Sequence, residues 1–339
     1  MSLLSSFAYI YWNPNRVAFT IPLIDKPVVW YGLCFVLGFV IAYLLLLPLF
    51  KEVLRRKDSS KEFFKKASNI ALYLVDKLTW YVVAGTIIGA RLGHVFFYDW
   101  PYYKNHLLEI FQVWNGGLAS HGGTLGVIIA LILYQRSISK KFPEFTLVTL
   151  FDLIVIPIGL VACLIRIGNF INQEVIGIPS TLPWAIIFGD AADGSSPIPR
   201  HPVQLYEALI YFSIFVFLLL LRKFKKEQLR PGMISGIFLI LVFGSRFFVE
   251  FLKKPQSIMI DESFLQTGQY LSFPFIVFGI FLFFYSSGKT SRQALRAARL
   301  PTPTINAPIF PPKEPPSSVI AESTIATQLS NSRPPRDLY

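Results

Sequence analysis

Residues 28–50 read VVWYGLCFVLGFVIAYLLLLPLF, an apolar run without a single Asp, Glu, Lys or Arg, and Lys51 ends it. A helix rises about 1.5 Å per residue and a bilayer core is about 30 Å thick, so roughly 20 such residues cross it. Comparable runs follow at 78–98, 118–135, 146–167, 203–221, 232–252 and 271–286. With 53% hydrophobic residues in a chain of 339 and a mean hydropathy of +0.51, an ordinary soluble domain is excluded. The expected fold is an all-α integral membrane protein, a bundle of about seven transmembrane helices.

The net charge of +12 is unevenly placed. Lys51, Arg55, Arg56, Lys57, Lys61, Lys65 and Lys66 crowd the first loop, whereas the second has Lys104. Arg136, Lys140 and Lys141 mark the third, and Arg200 the fourth. Arg222, Lys223, Lys225, Lys226 and Arg230 fill the fifth, and in the sixth Lys253 and Lys254 are offset by Asp261 and Glu262. Rich and poor loops alternate, as they do when basic loops stay in the cytoplasm. The expected setting is a bacterial inner membrane, multi-pass, with the N-terminus outside and the C-terminus cytoplasmic. The basic excess then orients the chain and meets anionic membrane lipid; no nucleic acid is expected as a partner.

Three parts are expected. Residues 1–27, with Tyr9, Tyr11 and Trp12, form an outer interfacial segment. Residues 28–286 form the membrane domain, and 168–202, too polar and too rich in Pro and Gly to span, form a small extracytoplasmic lobe within it. Residues 287–339 are a Pro-rich cytoplasmic tail expected to be disordered. Gly85, Gly89 and Gly93, matched by Gly122 and Gly126, suit close helix packing. Cys34 and Cys163 both lie inside spans, where neither a disulfide nor a metal cluster is indicated.

Against this apolar background stand Arg91, His94, His121, Arg166, Glu207, Arg246 and Glu250. A charge near a bilayer centre costs at least about 2.5 kcal/mol, so each is a functional candidate. The topology places all seven toward the outer face, with Asp152 nearer the other. Each has a plainer reading: Arg246 and Glu250, four apart, could neutralise each other, and Arg91 could snorkel to the interface. Several helices delivering polar groups to one depth favour a shared site. Guanidinium forks suit phosphate, Glu174, Glu207 and Glu250 would hold the forks, and a histidine suits a general base. Chemistry on a phospholipid uses all of these features.

Five stretches carry a resemblance: Trp30-Tyr31-Gly32, Trp114 to Gly123, Arg166 to Glu174, Pro199 to Glu207 and Arg246 to Phe251. Their order and spacing, from about residue 20 to about residue 286, resemble bacterial prolipoprotein diacylglyceryl transferase. The resemblance implies transfer of the diacylglyceryl group of phosphatidylglycerol to the lipobox cysteine of lipoprotein precursors. A thioether forms and glycerol phosphate leaves. It also implies that Arg166 binds phosphatidylglycerol and that His121, Asn169, Glu174, Gly177, Glu207, Arg246, Glu250 and Tyr31 serve function. Gln173 stands where the family usually has glycine, Ile165 replaces a frequent glycine, Val242 a frequent tyrosine, and the tail is an extension.

The expected mechanism has His121 and Arg246 activating the thiol, in either division of labour, with Arg166 and Arg246 on the phosphodiester. Tyr31, Arg91, Asn169, Glu174, Gly177, Glu207 and Glu250 are the expected substrate-binding set. No metal or other cofactor is expected, since the phosphate is its own charge sink. The rival readings are a transporter or lipid flippase, against which stands the lack of an internal repeat, and an assembly protein whose polar residues only lock helices.

Overall fold

The computed structural model describes residues 9–22, 25–56, 61–225, 228–255 and 265–299. The chain divides into two units, 1–291 and 292–339; of the second, only the helical residues 292–299 are described.

The apolar runs form helices α1 (Trp30–Arg55), α2 (Lys61–Phe97), α4 (Ser120–Ile138), α5 (Leu147–Ile171), α6 (Val203–Lys225), α7 (Met233–Val249) and α8 (Thr267–Arg299), with a short α3 (Trp100–Tyr103) after α2. Every expected span coincides with a helix. By length and apolarity six can cross a membrane; α4 is not among them. Its glycines, His121, Gln135 and Arg136 dilute its hydropathy. α4 is instead the helix packed most extensively against α2. There the glycines act as their spacing predicts. A Cβ on Gly89 would stand 2.7 Å from the Cα of Gly126, and one on Gly93 would stand 2.6 Å from the Cα of Gly122. Only glycine permits that approach, which gains dispersion contacts where lipid supplies no hydrophobic drive between helices.

The tightest apolar packing sits toward the basic end of the bundle. Leu54 of α1, Leu74 and Leu78 of α2, Leu150 and Leu153 of α5 and Leu218 of α6 are fully buried together, and Phe50 stacks on Phe145 at 4.9 Å. Asp152, among these side chains, is fully used as a helix cap. Its Oδ2 accepts from Gly232 N at 2.6 Å, and its Oδ1 accepts from Ser235 N at 2.8 Å and Ser235 Oγ at 2.6 Å. It therefore fixes the first turn of α7, where backbone N–H groups need acceptors.

The N-terminal segment and the lobe are built together. Three strands precede α1: β1 (Ile10–Trp12), β2 (Val17–Ile21) and β3 (Lys26–Val29). Their β-branched and aromatic side chains favour extended backbone. β2 and β3 pair as an antiparallel hairpin that leads into α1. β1 runs parallel to β4 (Ile186–Phe188), which pairs antiparallel with β5 (Pro199–Arg200). Trp12 stacks on Phe170 at 4.6 Å and donates to its carbonyl at 3.0 Å, tying β1 to the end of α5.

Gln173 is the hinge of this lobe. Its φ of 56° is left-handed, the reason a glycine suits the position. The glutamine recovers part of that strain through its side chain, which donates to Asn13 Oδ1 at 3.1 Å and accepts from Asp190 N at 2.8 Å. Residues 287–299 continue α8 as helix, where a disordered tail was expected; residues 300–339 of that tail lie outside the described residues.

Gly126→Val should lower the thermal midpoint in detergent by the equivalent of about 1–3 kcal/mol, the usual cost of overpacking, because the added carbons fall on the backbone of Gly85 and Gly89. Gly244→Ala, whose Cβ would meet nothing within 4 Å, should leave the midpoint unchanged.

Candidate functional site

Because consecutive helices run in opposite directions, the start of α1, the end of α2, the start of α4, the end of α5, the start of α6 and the end of α7 meet at one end of the bundle. Tyr31 of α1 packs on Gly168 of α5, 3.1 Å from where a Cβ would stand, and Gly122 of α4 lies against Gly93 of α2. All the charged candidates but Asp152 occupy this end.

At its centre is a chain of alternating charge. Arg166 Nε lies 3.0 Å from Glu207 Oε2, Lys253 Nζ lies 2.9 Å from Glu207 Oε1, and the same Nζ reaches Glu250 Oε2 at 3.0 Å. Glu207 is only 1% exposed and Lys253 3%. In so dry a setting each charge is tolerated only because its neighbour carries the opposite sign. Tyr211 adds a hydroxyl to Glu207 Oε1 at 3.3 Å.

A branch runs from Arg166 into the lobe. Its Nη1 donates to Asn169 Oδ1 at 3.1 Å, Asn169 Nδ2 donates to Glu174 Oε2 at 2.9 Å, and Asn172 Nδ2 donates to Glu174 Oε1 at 3.1 Å. Gln204 Nε2 then holds the Glu174 carbonyl at 2.7 Å. Tyr31 lies within electrostatic range of both Arg166 and Glu174. Gly177 forms a backbone bridge with Lys253. A Cβ there would stand 3.0 Å from the Leu252 carbonyl and 2.7 Å from the His201 Cβ, so the crossing of two chains requires glycine.

Arg246 differs from its neighbours. Among the described residues no hydrogen bond or ion pair engages its guanidinium, and Glu250, four residues on, turns to Lys253 instead. Arg246 and Arg166 both lie within electrostatic range of Tyr211, which places an unpaired arginine beside a held one.

The remaining candidates are placed elsewhere on the same end. Arg91, 3% exposed, spends its donors on backbone carbonyls: Nε on Ile110 at 2.8 Å, Nη1 on Gly116 at 2.7 Å and Nη2 on Glu109 at 2.5 Å. Tyr103 covers its face at 5.0 Å. It is thus a staple for the 107–117 connection. His121 is exposed at the start of α4, and no hydrogen bond, ion pair or ring contact joins it to another described residue. The structure does not bring it into contact with Arg166 or Arg246.

Two residues of the site escaped the sequence reading. Lys253 counts as a loop charge by position, and only its i,i+3 spacing from Glu250 hinted at a pair. Gly268 opens α8 against the Glu250 carboxylate, which a Cβ would displace; a glycine across a loop leaves no sequence signal. Around the site, burial pushes the His201 imidazole below its ordinary value. Asp193 is disfavoured by burial as an anion, yet hydrogen bonds from Lys254 and Ser195 hold its carboxyl at about 2.

This constellation has known counterparts. Residues 16–285 match the family model described as prolipoprotein diacylglyceryl transferase. The chain belongs to that family. A phosphatidylglycerol–prolipoprotein diacylglyceryl transferase of Protochlamydia amoebophila is 40% identical, over 81% of this chain and 94% of the relative. One from Tolumonas auensis is 38% identical over 84% of this chain and its own full length, and one from Porphyromonas gingivalis is 40% identical over 81% and 94%. Membership sets aside the transporter and assembly readings and makes this chain a membrane protein of the transferase family.

Lys253→Met should lower stability by about 3–5 kcal/mol, since Glu207 and Glu250 would face each other with the bridging cation gone; Lys253→Arg should restore most of the thermal midpoint measured in detergent.

Proposed function

We propose that Arg166 and Arg246 form a phosphate clamp, and that the chain uses it to transfer the diacylglyceryl group of phosphatidylglycerol to the lipobox cysteine of lipoprotein precursors. The guanidinium of Arg246, unpaired among the described residues, carries the reading. A cation near membrane depth without a protein partner is costly, and a bound phosphodiester supplies the missing anion. Arg166 is oriented by Glu207 and Asn169, so its remaining amino group can meet the same phosphate through a preorganised fork.

In this reading the cysteine sulfur attacks the glyceryl carbon that bears the phosphate. The carbon–sulfur bond forms as the carbon–oxygen bond breaks, and the electron pair leaves with glycerol phosphate. Donors aimed at that departing charge in a dry site contribute roughly 3 kcal/mol each. The thiol has a free pKa of about 8.5 and must lose its proton first. His121, exposed at the start of α4 and without a partner among the described residues, is the base assigned to that proton on the precursor's thiol. Glu207, Glu250 and Glu174 hold the cations and the lobe; Tyr31, Asn169 and Gly177 shape the wall, and Arg91 fixes the connection above it.

The site end is assigned to the outside of a bacterial inner membrane, with the N-terminus beside it and the C-terminus cytoplasmic, on the alternation of basic loops. Phosphatidylglycerol from the outer leaflet and the membrane-bound precursor then meet at headgroup depth.

In proteoliposomes supplied with phosphatidylglycerol and a lipobox peptide, mass spectrometry should show a diacylglyceryl adduct on the cysteine. Arg166→Ala and Arg246→Ala should each slow its formation about 100-fold or more; near-normal turnover in both removes the clamp. His121→Asn should lose most activity at pH 6 and regain it toward pH 9, where the thiolate forms unaided. An unchanged profile over that range excludes His121 as the base.

A further inference from the structure

At the opposite, basic end of the bundle lies a cavity of about 590 Å³, bounded by the end of α1, the start of α5, the end of α6 and the connection into α7. Arg56, Arg222 and Arg230 line it with Thr149, and Glu144 and Asp152 share the wall. None of these belongs to the site above.

Arg222 is the informative residue. It is 7% exposed, and its Nε and Nη2 meet the Glu52 carboxylate at 3.3 and 3.2 Å. Its Nη1 has no partner among the described residues. Asp152 lies within electrostatic range but makes no hydrogen bond to it, its oxygens accepting from Gly232 and Ser235. Arg56 uses one amino group on the same Glu52, at 3.2 Å, and offers the rest. A buried guanidinium with one amino group open, facing a cavity of this size, has room for a further oxyanion.

We propose that this cavity binds the phosphate of a membrane phospholipid headgroup from the leaflet on the basic side. Its volume falls within the range of small-molecule sites, about 300–1,000 Å³, and it opens at the helix ends, where headgroups lie. The lining sets Arg56, Arg222 and Arg230 against Glu144 and Asp152, an excess of positive charge that suits a singly charged diester better than free inorganic phosphate. Basic pockets between transmembrane helices recognise headgroups in this way. The site is separate from the transfer chemistry and stands whether or not the clamp reading holds.

Native mass spectrometry of the delipidated full chain, titrated separately with dioleoylphosphatidylglycerol, dioleoylphosphatidylethanolamine and inorganic phosphate, tests this. Arg56→Gln and Arg222→Lys, the latter keeping a cation beside Glu52, should each weaken one bound phospholipid by about tenfold or more. Thermal midpoint and transfer to a lipobox peptide should stay close to wild type. Equal lipid occupancy in wild type and Arg56→Gln, whose side chain is half exposed and tolerates change, overturns the proposal. So does a site that takes inorganic phosphate and neither lipid.

Discussion

Glu207 bears two cations on one carboxylate, Arg166 on one oxygen and Lys253 on the other. The rest of this end of the bundle is arranged around that fact. The carboxylate is almost wholly removed from solvent, so its charge exists only because α5 and the turn after α7 each deliver a cation to it. In return it holds Arg166 at a fixed angle, draws Lys253 down between two acids and gives Tyr211 a partner. Removing any one member would leave another charge buried and alone, which costs far more than the pair gains. The result is an interlocked network at this end of the bundle.

Arg246 then gains its meaning by contrast. It stands next to a network in which the other charges are matched, yet no described residue matches its own. In the proposed reading a phosphodiester completes it by its charge and oxygen geometry. The opposite end follows the same logic with Arg222, where Glu52 takes part of the guanidinium and leaves the remainder open. Between the two ends the apolar core and the glycine contact of α2 with α4 hold the helices close enough for both arrangements to persist.

Much of this was legible in the chain because membrane burial makes charge conspicuous. Arg166, Glu207 and Glu250 were visible as polar residues in apolar runs, and the close packing of Gly85, Gly89 and Gly93 against α4 followed from their spacing. The departure at Gln173 was visible too, but not how it is accommodated: a left-handed backbone is tolerated because Asn13 and Asp190 engage its side chain. The strand β1 leaves no local mark, since its partner β4 lies more than 170 residues away. Arg91 looked like a substrate contact for a similar reason, its carbonyl acceptors lying in a loop without any sequence mark.

Sequence by itself determined the membrane class, the alternation of helix direction and hence which polar residues share an end, because the bilayer imposes length and apolarity on every span and charge on every loop. Only the tertiary structure decided who pairs with whom: that Glu250 turns from Arg246 to Lys253, that Arg91 staples a loop and that Arg222 meets Glu52 across the bundle. Pairing depends on distances of a few tenths of an ångström between helices far apart in the chain, and no local pattern of residues encodes them.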